Sequence, residues 1–345
     1  MAEVEPTQSA ADLPMVHSVL FVQPAFIGDV ILFTGLLETW HHAWPHAAID
    51  VWVRKGNERL FDGHPFVREV RVWDKSTSRY AHLLREVKAV RAARYDAVIN
   101  PHRHASSGLL TACSGAAIRV GFKSNPWSFA FTRRLRHELE GGRHEVERNH
   151  ELIAPWCPKR VGPRLHPEAE APAEWAGAIV LAPASQWFTK QWPAEKWVAL
   201  IASLARSRPD VPVVLMGGPT DDALLHSIKQ RAAVHPRLHR TSSRSSLAEA
   251  IAIVAQAGSV VSNDSAPLHL ASACNRPAVA LFCSTVPAFG FGPLSDRSVV
   301  IETEEALACR PCGAHGHKKC PEGHFLCGRS IDVDRVRDAV LAQLR

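Results

Sequence analysis

A carboxylate stands where the first apolar run of the sequence gives way to a helical pattern. The segment 23–29 reads QPAFIGD and ends at Asp29. A nicotinamide-binding domain would show G-x-G-x-x-G here, and only Gly28 is present, which excludes that fingerprint. Two roles stay open for Asp29: an acid stabilised in the first helical turn, or a general base that accepts a hydroxyl proton.

The second half of the sequence has a comparable loop whose side chains suit phosphate. The segment 181–193 reads LAPASQWFTKQWP and joins a strand pattern to a helical one. Ser185 and Gln186 can donate hydrogen bonds to phosphate oxygens, and Lys190 supplies positive charge. A lysine that is merely solvated is the alternative for Lys190.

A glycine pair follows the next strand pattern, in the segment 216–222, MGGPTDD. Gly217 and Gly218 would let the backbone approach a ligand closely, and either acid, Asp221 or Asp222, could hold a ribose hydroxyl. A plain glycine turn explains the same residues, so this segment indicates a nucleotide only in combination with the others.

The segment 261–269, VSNDSAPLH, is the most informative one. Asp264 would repel phosphate, so a sugar hydroxyl is its expected target. Ser265 and Ala266 begin a helix whose free N–H groups and positive dipole end favour a phosphate. His269 lies one turn further on, either at the donor site or as a satisfied histidine of the core.

Four of the eight cysteines crowd into a short stretch near the end of the chain. Their spacing is C-x2-C-x7-C-x6-C, formed by Cys309, Cys312, Cys320 and Cys327. With His315, His317 and His324 between them, they could build a tetrahedral structural zinc site. Reduced, partly packed thiols are the favoured alternative, and no catalytic metal is expected.

The elements that carry these loops alternate between strand and helix, which predicts an α/β fold with mostly parallel sheets. Strand patterns cover 18–23, 49–53, 69–73, 95–100, 118–122, 178–182, 211–216, 259–262 and 278–283. Helical patterns cover 28–44, 79–93, 103–114, 194–206, 221–233, 246–257, 265–274 and 332–344.

A segment with four prolines and no periodicity, 158–172, is the predicted linker. It separates an N-terminal Rossmann-like domain, 1–160, from a C-terminal one, 175–330. We expect the two to face each other across a central cleft, with the final helix, in 331–345, packed back on the N-terminal domain. Ligands of open α/β sheets bind at the carboxyl ends of the strands, where all of the loops above lie.

The amino-acid composition limits the classes of protein to which the chain can belong. The chain has 345 residues, 46% of them hydrophobic and 21% charged, as in soluble globular proteins of two domains. No apolar run reaches membrane-spanning length, and the N-terminus lacks the pattern of a signal peptide. We therefore expect a cytoplasmic protein.

The formal net charge is +6, which indicates an anionic partner. Basic residues of the N-terminal half could bind an anionic acceptor or the inner face of a membrane, at which the protein would associate peripherally, although a solvated face is the alternative. These residues are Arg85, Lys88, Arg133, Arg134 and Arg136. Nucleic acid is not expected, because no known nucleic-acid-binding signature is present.

Five segments in register resemble the inverting glycosyltransferases of family 9, the heptosyltransferases of lipopolysaccharide core assembly. They are 26–37 (FIGDVILFTGLL), 190–197 (KQWPAEKW), 213–221 (VVLMGGPTD), 262–285 (SNDSAPLHLASACNRPAVALFCST) and the cysteine-rich tail, which is most similar to the heptosyltransferase II group. The chain departs from that family at Ala266-Pro267, where many members have glycine and leucine or methionine. This departure leaves the donor sugar in question.

The resemblance implies a GT-B fold and metal-independent inverting transfer, with no cofactor. It implies ADP-L-glycero-β-D-manno-heptose as the donor and an anionic glycolipid acceptor, bound by the C-terminal and N-terminal domains respectively. Asp29 would act as the base and Lys190 would meet the charge of the leaving group. Another nucleotide sugar, or a sugar-nucleotide epimerase of the same fold, is the alternative.

Overall fold

The computed structural model describes residues 15–74, 78–139 and 141–344, which divide into two compact units. Unit 1 holds the described chain up to Glu138 together with Glu145–Arg164. Unit 2 holds Leu139–His144 and the chain from Leu165 onward. The division therefore falls inside the proline-rich segment 158–172, and a short piece near residue 140 also belongs to unit 2.

Unit 1 is built on a six-stranded parallel sheet in the order β3-β2-β1-β4-β5-β6. The central strands are short apolar runs buried on both faces, as parallel sheets require. The strands are β1 (Ser18–Val22), β2 (Ala48–Arg54), β3 (Val67–Trp73), β4 (Ala97–Asn100), β5 (Ile118–Phe122) and β6 (Arg133–Leu135). The order reverses between β1 and β4, so a crevice opens at the carboxyl ends of these two strands.

The helices of unit 1 are α1 (Ile27–Ala43), α2 (Arg79–Ala93), α3 (Ala105–Cys113) and α4 (Glu145–His150). Helix α1 is buried along most of its length, and α4 packs against it. A Cβ atom on Gly35 would lie 3.1 Å from the backbone N of Pro163, so glycine lets α1 pass close to that segment. Thr39 holds the same segment, accepting a 2.9 Å hydrogen bond from the Val161 N–H.

Unit 2 repeats the strand order of unit 1, with β12-β11-β10-β7-β8-β9 in one parallel sheet. Its strands are β7 (Ile179–Ala182), β8 (Val213–Leu215), β9 (Leu238–Arg240), β10 (Ser259–Asn263), β11 (Ala278–Phe282) and β12 (Ser298–Glu302). Here the order reverses between β7 and β10. The predicted α/β class is confirmed, and in both units the switch point lies beside the first strand.

The helices of unit 2 are α5 (Ala194–Ser207), α6 (Asp222–Arg231), α7 (Leu247–Ala255), α8 (Ala266–Ala273), α9 (Leu326–Arg329) and α10 (Val333–Gln343). In the described ranges, no helix combines the length and the apolar composition that crossing a membrane requires.

The final helix, α10, belongs to unit 2, whereas the sequence led us to expect it on the N-terminal domain. Val336 and Val340 are fully buried in the core of unit 2, and α10 packs against α5. The Gln343 amide bridges two strands, accepting from Ser259 Oγ at 2.6 Å and donating to the Ala278 carbonyl at 2.9 Å. A buried apolar stripe and a satisfied buried amide explain this placement.

Candidate active site

Asp29 lies in the first turn of α1, directly after the loop that leaves β1. The N-cap residue, Phe26, has no side chain that could cap the helix, and its N–H donates to the Asp29 carboxylate instead. An acid at this third helical position therefore satisfies one orphan donor of the helix start. Capping is thus one role of Asp29.

The pKa of Asp29 is raised to about 6, chiefly by burial and in addition by the negative charge of Glu145. The positive charge of Arg103 and the backbone hydrogen bonds act in the opposite direction. A carboxyl group with a pKa of about 6 is mostly ionised at pH 7 and is still a far better proton acceptor than an ordinary aspartate. The electrostatics of unit 1 therefore suit Asp29 to general-base catalysis.

Glu145, whose charge influences this carboxyl group, is part of a chain of polar contacts. Arg148 Nε donates to Glu145 Oε2 at 2.9 Å, and His137 Nε2 lies 3.1 Å from the same oxygen. Burial alone would raise the pKa of Glu145, but hydrogen bonds and charge from His137 and Arg148 outweigh it, and the pKa is lowered. Glu145 therefore stays ionised. On the other side, His137 Nδ1 lies 3.4 Å from Arg103 Nη1.

In unit 2, the residues expected at the donor site form a fixed ion pair. Lys190 Nζ lies 2.6 Å from Asp264 Oδ2, and Thr285 Oγ1 donates to the same oxygen at 2.6 Å. Lys190 ends a short 3-10 turn after β7, and Asp264 directly follows β10. The two side chains thus come from the neighbouring strands at the switch point of this sheet, as their positions in the sequence predict.

Asn263, the last residue of β10, ties these two loops together. Its Oδ1 accepts from the Trp192 N–H at 2.9 Å, and its Nδ2 donates to the Pro183 carbonyl at 2.8 Å. The side chain is fully buried and all of these bonds satisfy it. Asn263 therefore fixes the Lys190 loop relative to Asp264, a role that its local sequence does not indicate.

The start of α8 has the expected form, with Ser265 at the N-cap and Ala266 as the first helical residue. The Ser265 side chain makes no cap hydrogen bond, so its hydroxyl does not compete for the helix N–H groups. One turn on, burial lowers the pKa of His269 to about 4, so the imidazole is neutral at pH 7. Its Nδ1 finds no hydrogen-bond partner among the residues described.

The remaining predicted donor residues differ in how they are held. Ser185 is half-buried, its carbonyl accepting from the Gln191 side chain at 2.6 Å, whereas Gln186 is exposed. Asp221 turns back on its own loop and accepts from the Gly218 N–H at 2.8 Å.

Gly217 is needed for packing rather than for a left-handed backbone. A Cβ atom there would lie 3.0 Å from the Asp221 Cβ and 3.1 Å from Leu225 Cδ1. A ribose bound by Asp221 would therefore contact a carboxylate whose Oδ2 already accepts a hydrogen bond from its own loop.

The cysteine-rich tail approaches the Lys190 loop, which the sequence does not reveal. The His317 N–H donates to Thr189 Oγ1 at 2.7 Å, and the Thr189 N–H donates to the His317 carbonyl at 3.1 Å. Gly316 has a φ of +75°, and a Cβ atom there would lie 2.9 Å from Thr189 Oγ1 and 3.3 Å from Lys190 Cγ. Glycine is therefore required at this contact.

The tail thiols are all free. Cys309 Sγ lies 4.0 Å from His324 Nε2. In the described part of the chain, no three ligand atoms from this group come within 4.8 Å of one another.

Arg310, inside the tail, braces the end of β11. Its guanidinium donates to the carbonyls of Cys283 at 2.6 Å, Phe282 at 3.1 Å and Thr285 at 2.8 Å, and it pairs with Glu302. The Thr285 hydroxyl in turn donates to Asp264, so Arg310 helps to hold the ion pair in place through Thr285. The C-x2-C motif that surrounds Arg310 gives no sign of this role.

The basic residues expected to bind an acceptor fall into two separate groups. Arg85 and Lys88 are exposed on α2, which packs on β3 and α3. Arg133 and Arg134 are exposed on β6, at the opposite edge of the sheet, and neighbouring strand residues point to opposite faces. Arg136, just beyond β6, is also exposed.

Comparisons with known proteins agree with this architecture. The model of "Glycosyltransferase family 9 (heptosyltransferase)" matches residues 83–324. "Lipopolysaccharide heptosyltransferase 1" of Pseudomonas aeruginosa is 29% identical over 85% of this chain and 85% of its own length. "Lipopolysaccharide heptosyltransferase 3" of Escherichia coli is 25% identical over 75% of this chain and 82% of its own length.

Among solved structures, the ADP-heptose lipopolysaccharide heptosyltransferase II of E. coli superposes with a TM-score of 0.76. It is 22% identical, and the match covers 95% of this chain and 98% of that one. The glycosyltransferase family 9 protein of Veillonella parvula reaches a TM-score of 0.80 at 21% identity, over 96% and 98% of the two chains. These likenesses show the fold and confirm the predicted GT-B class.

Proposed function

Because the chain belongs to glycosyltransferase family 9, we propose that it transfers a heptose from ADP-L-glycero-β-D-manno-heptose to a lipopolysaccharide core acceptor, with inversion at the anomeric carbon. Unit 2 binds the donor and unit 1 binds the acceptor. The observation that carries this proposal is that unit 1 holds a carboxyl group of raised pKa and that unit 2 holds a fixed lysine–aspartate pair, each at the switch point of its own sheet. The names of the relatives, which describe lipopolysaccharide heptosyltransferases, support the same substrate class.

The transfer is a single displacement. Asp29 accepts the proton of the acceptor hydroxyl as that oxygen forms a bond to the anomeric carbon of the donor. The bond from that carbon to the diphosphate oxygen breaks on the opposite face, and ADP leaves with the electron pair. A base whose pKa is about 6 is ionised at neutral pH and matches this step.

The leaving diphosphate gains negative charge, which hydrogen-bond donors of unit 2 can stabilise. Lys190 has three N–H donors, and one of them is directed at Asp264 at 2.6 Å. The other two can reach phosphate oxygens, while Asp264 holds the ammonium group in place. Ser185, the uncapped N-terminus of α8 at Ser265 and Ala266, and the 217–221 loop complete the donor site.

The acceptor also accounts for the basic surface of unit 1. Arg85, Lys88, Arg133, Arg134 and Arg136 are exposed, and core glycolipids carry phosphate or carboxylate groups. We propose that these residues attract the acceptor and hold the protein at the inner face of the cytoplasmic membrane. With a formal net charge of +6, the whole chain favours such an anionic surface.

A donor screen followed by a transfer assay tests the function. Thermal shifts are measured with ADP-heptose and with UDP-, GDP- and dTDP-sugars; a ligand at 100 times its dissociation constant should stabilise the protein by about 2.7 kcal/mol. ADP-heptose should give the largest shift, and the product should be a glycosylated acceptor of inverted configuration. A preference for another nucleotide would refute the donor, and conversion of the donor alone to its epimer would refute transfer.

A further inference from the structure

A basic tripeptide, His102-Arg103-His104, follows β4 at the switch point of unit 1. Strand β4 pairs in parallel with β1, the strand that leads to Asp29, so the two carboxyl ends lie side by side. The positive charge of Arg103 is one of the influences that lower the pKa of Asp29. Arg103 therefore belongs to the surroundings of the proposed base.

The backbone of this tripeptide is held in place. Asn125 Nδ2 donates to the carbonyls of His102 at 3.0 Å and His104 at 3.1 Å, and the His102 N–H donates to Asn100 Oδ1 at 3.0 Å. The Asn125 side chain fits because residue 108 is glycine: a Cβ atom there would lie 2.0 Å from Asn125 Oδ1. The segment that presents Arg103 is thus fixed at several points.

The Arg103 side chain is held by an imidazole. Its Nη1 lies 3.4 Å from His137 Nδ1, and the other ring nitrogen of His137, Nε2, lies 3.1 Å from Glu145 Oε2. The side chain of His137 is 1% exposed. Arg148 occupies the same Glu145 oxygen. The carboxylate thus holds His137 and Arg148, and does not contact Arg103 directly.

This arrangement differs from that of other arginines in the chain. Arg68 donates both Nε and Nη2 to the buried carboxylate of Asp50, and Arg310 pairs with Glu302. Arg103 makes no ion pair among the residues described, and it is exposed. A guanidinium that lies against an imidazole instead of a carboxylate is suited to bind an anion from solution.

We propose that Arg103 binds a phosphate or carboxylate group of the acceptor and thereby aligns the attacking hydroxyl with Asp29. His137 and Glu145 are positioning residues, because they act through Arg103. This inference rests on the proposed function and assigns the acceptor's anionic group to one residue of unit 1.

The test compares wild type, Arg103→Ala and Arg103→Lys, with Arg59→Ala as the matched control. Arg59 is another exposed arginine of unit 1, and it pairs with Asp62 at 3.3 Å. Acceptor and donor Michaelis constants are measured with the anionic acceptor glycan and with the same glycan after dephosphorylation and carboxyl reduction. Arg103→Ala should raise the KM for the anionic acceptor on the order of 10- to 100-fold, with the donor KM unchanged.

Two further readouts separate binding from structure. The preference of wild type for the charged acceptor should vanish in Arg103→Ala, survive in part in Arg103→Lys and persist in Arg59→Ala. His137→Gln, whose amide oxygen can still accept from Arg103, should keep a lower acceptor KM than His137→Phe. If Arg103→Ala does not fold by thermal melting, Arg103→Lys carries the comparison, since it alters geometry and retains charge.

An unchanged acceptor KM in the Arg103 variants, or an equal loss with charged and uncharged acceptors, overturns the assignment of Arg103. Either result leaves the proposed function standing as long as wild type transfers heptose. Absence of transfer by wild type from ADP-heptose to the acceptor contradicts the proposed function itself. The two failures are therefore distinguishable.

Discussion

The two units place an acid and a cation at the same two strand ends, but in reverse order. In unit 1, the loop after β1 supplies Asp29 and the loop after β4 supplies Arg103. In unit 2, the loop after β7 supplies Lys190 and the loop after β10 supplies Asp264. One strand order therefore serves both units, and the residues at the switch point differentiate their chemistry.

The two pairs also differ in how closely they interact. Lys190 and Asp264 form an ion pair at 2.6 Å, in which each group fixes the other. Asp29 has no such partner among the described residues, since Arg103 contacts His137 and Glu145 adds negative charge nearby. A carboxylate that is paired is useful for positioning, and one that is desolvated without a direct partner is useful as a base.

Replacing Asp29 by Asn should have the largest effect of any single change. The Asn side chain keeps the shape and can still cap α1, but it cannot accept a proton. We expect kcat to fall by about 10²–10⁴-fold, with donor affinity unchanged and no drop in melting temperature. Steady-state kinetics and donor titration calorimetry measure both effects, and near-normal turnover would leave Asp29 with the capping role alone.

Lys190→Ala should weaken donor binding and slow turnover together, by about 10²–10³-fold in kcat, because the charge that meets the leaving diphosphate is lost. It also leaves Asp264, whose side chain is 7% exposed, without its ion partner, which should lower the free energy of unfolding. The double variant Lys190→Ala/Asp264→Asn should recover stability without recovering turnover. A single variant that binds donor as wild type does would exclude Lys190 from the donor site.

The pH dependence of kcat should show an acidic limb near pH 6. Burial and Glu145 raise the pKa of Asp29 to about 6, so the base is protonated and inactive below that pH and ionised above it. Glu145→Gln removes a negative charge that raises this pKa, so the limb should move to lower pH, by less than about one unit. Asp264→Asn, which removes a carboxylate from unit 2 and not from unit 1, serves as the control for the position of this limb. A limb that stays in place in Glu145→Gln would show that Glu145 does not influence the base.

Charge reversal on the surface of unit 1 should have the smallest effect. Arg85→Glu/Lys88→Glu and Arg133→Glu/Arg134→Glu test the two basic groups separately. Each pair should raise the acceptor KM about 2- to 5-fold at low salt and less at high salt, because exposed charges are screened. Donor affinity should stay constant, and an equal loss for donor and acceptor would restrict these residues to folding or solubility.

Local patterns in the sequence were sufficient for the alternation of strands and helices. The central strands are apolar runs of a few residues, such as β1 and β10, and each is followed by a polar loop that leads into a helix. Because the carboxyl ends of parallel strands share one edge, these patterns also put Asp29, Lys190 and Asp264 at candidate binding edges. The proximity of Lys190 to Asp264 follows from the same rule.

The sequence patterns do not predict three of the strands, and all three lie at sheet edges: β6, β9 and β12. Strands β6 and β9 have only three residues each, RRL and LHR, and β12 is half exposed. Edge strands are buried less and tolerate charge, so they lack the apolar pattern that identifies a central strand. Only pairing with β5, β8 and β11 defines them.

The side chains behind the candidate site depend on contacts between distant parts of the chain. His137 reaches Arg103 across 34 positions, and His317 reaches Thr189 across 128. The buried stripe of α10 has the same periodicity whichever unit it packs on, and its packing on α5 assigned it to unit 2. Residue type and local order determined which strand ends could do chemistry. Only tertiary packing decided burial and partners, because desolvation and charge pairing depend on neighbours that local sequence does not specify.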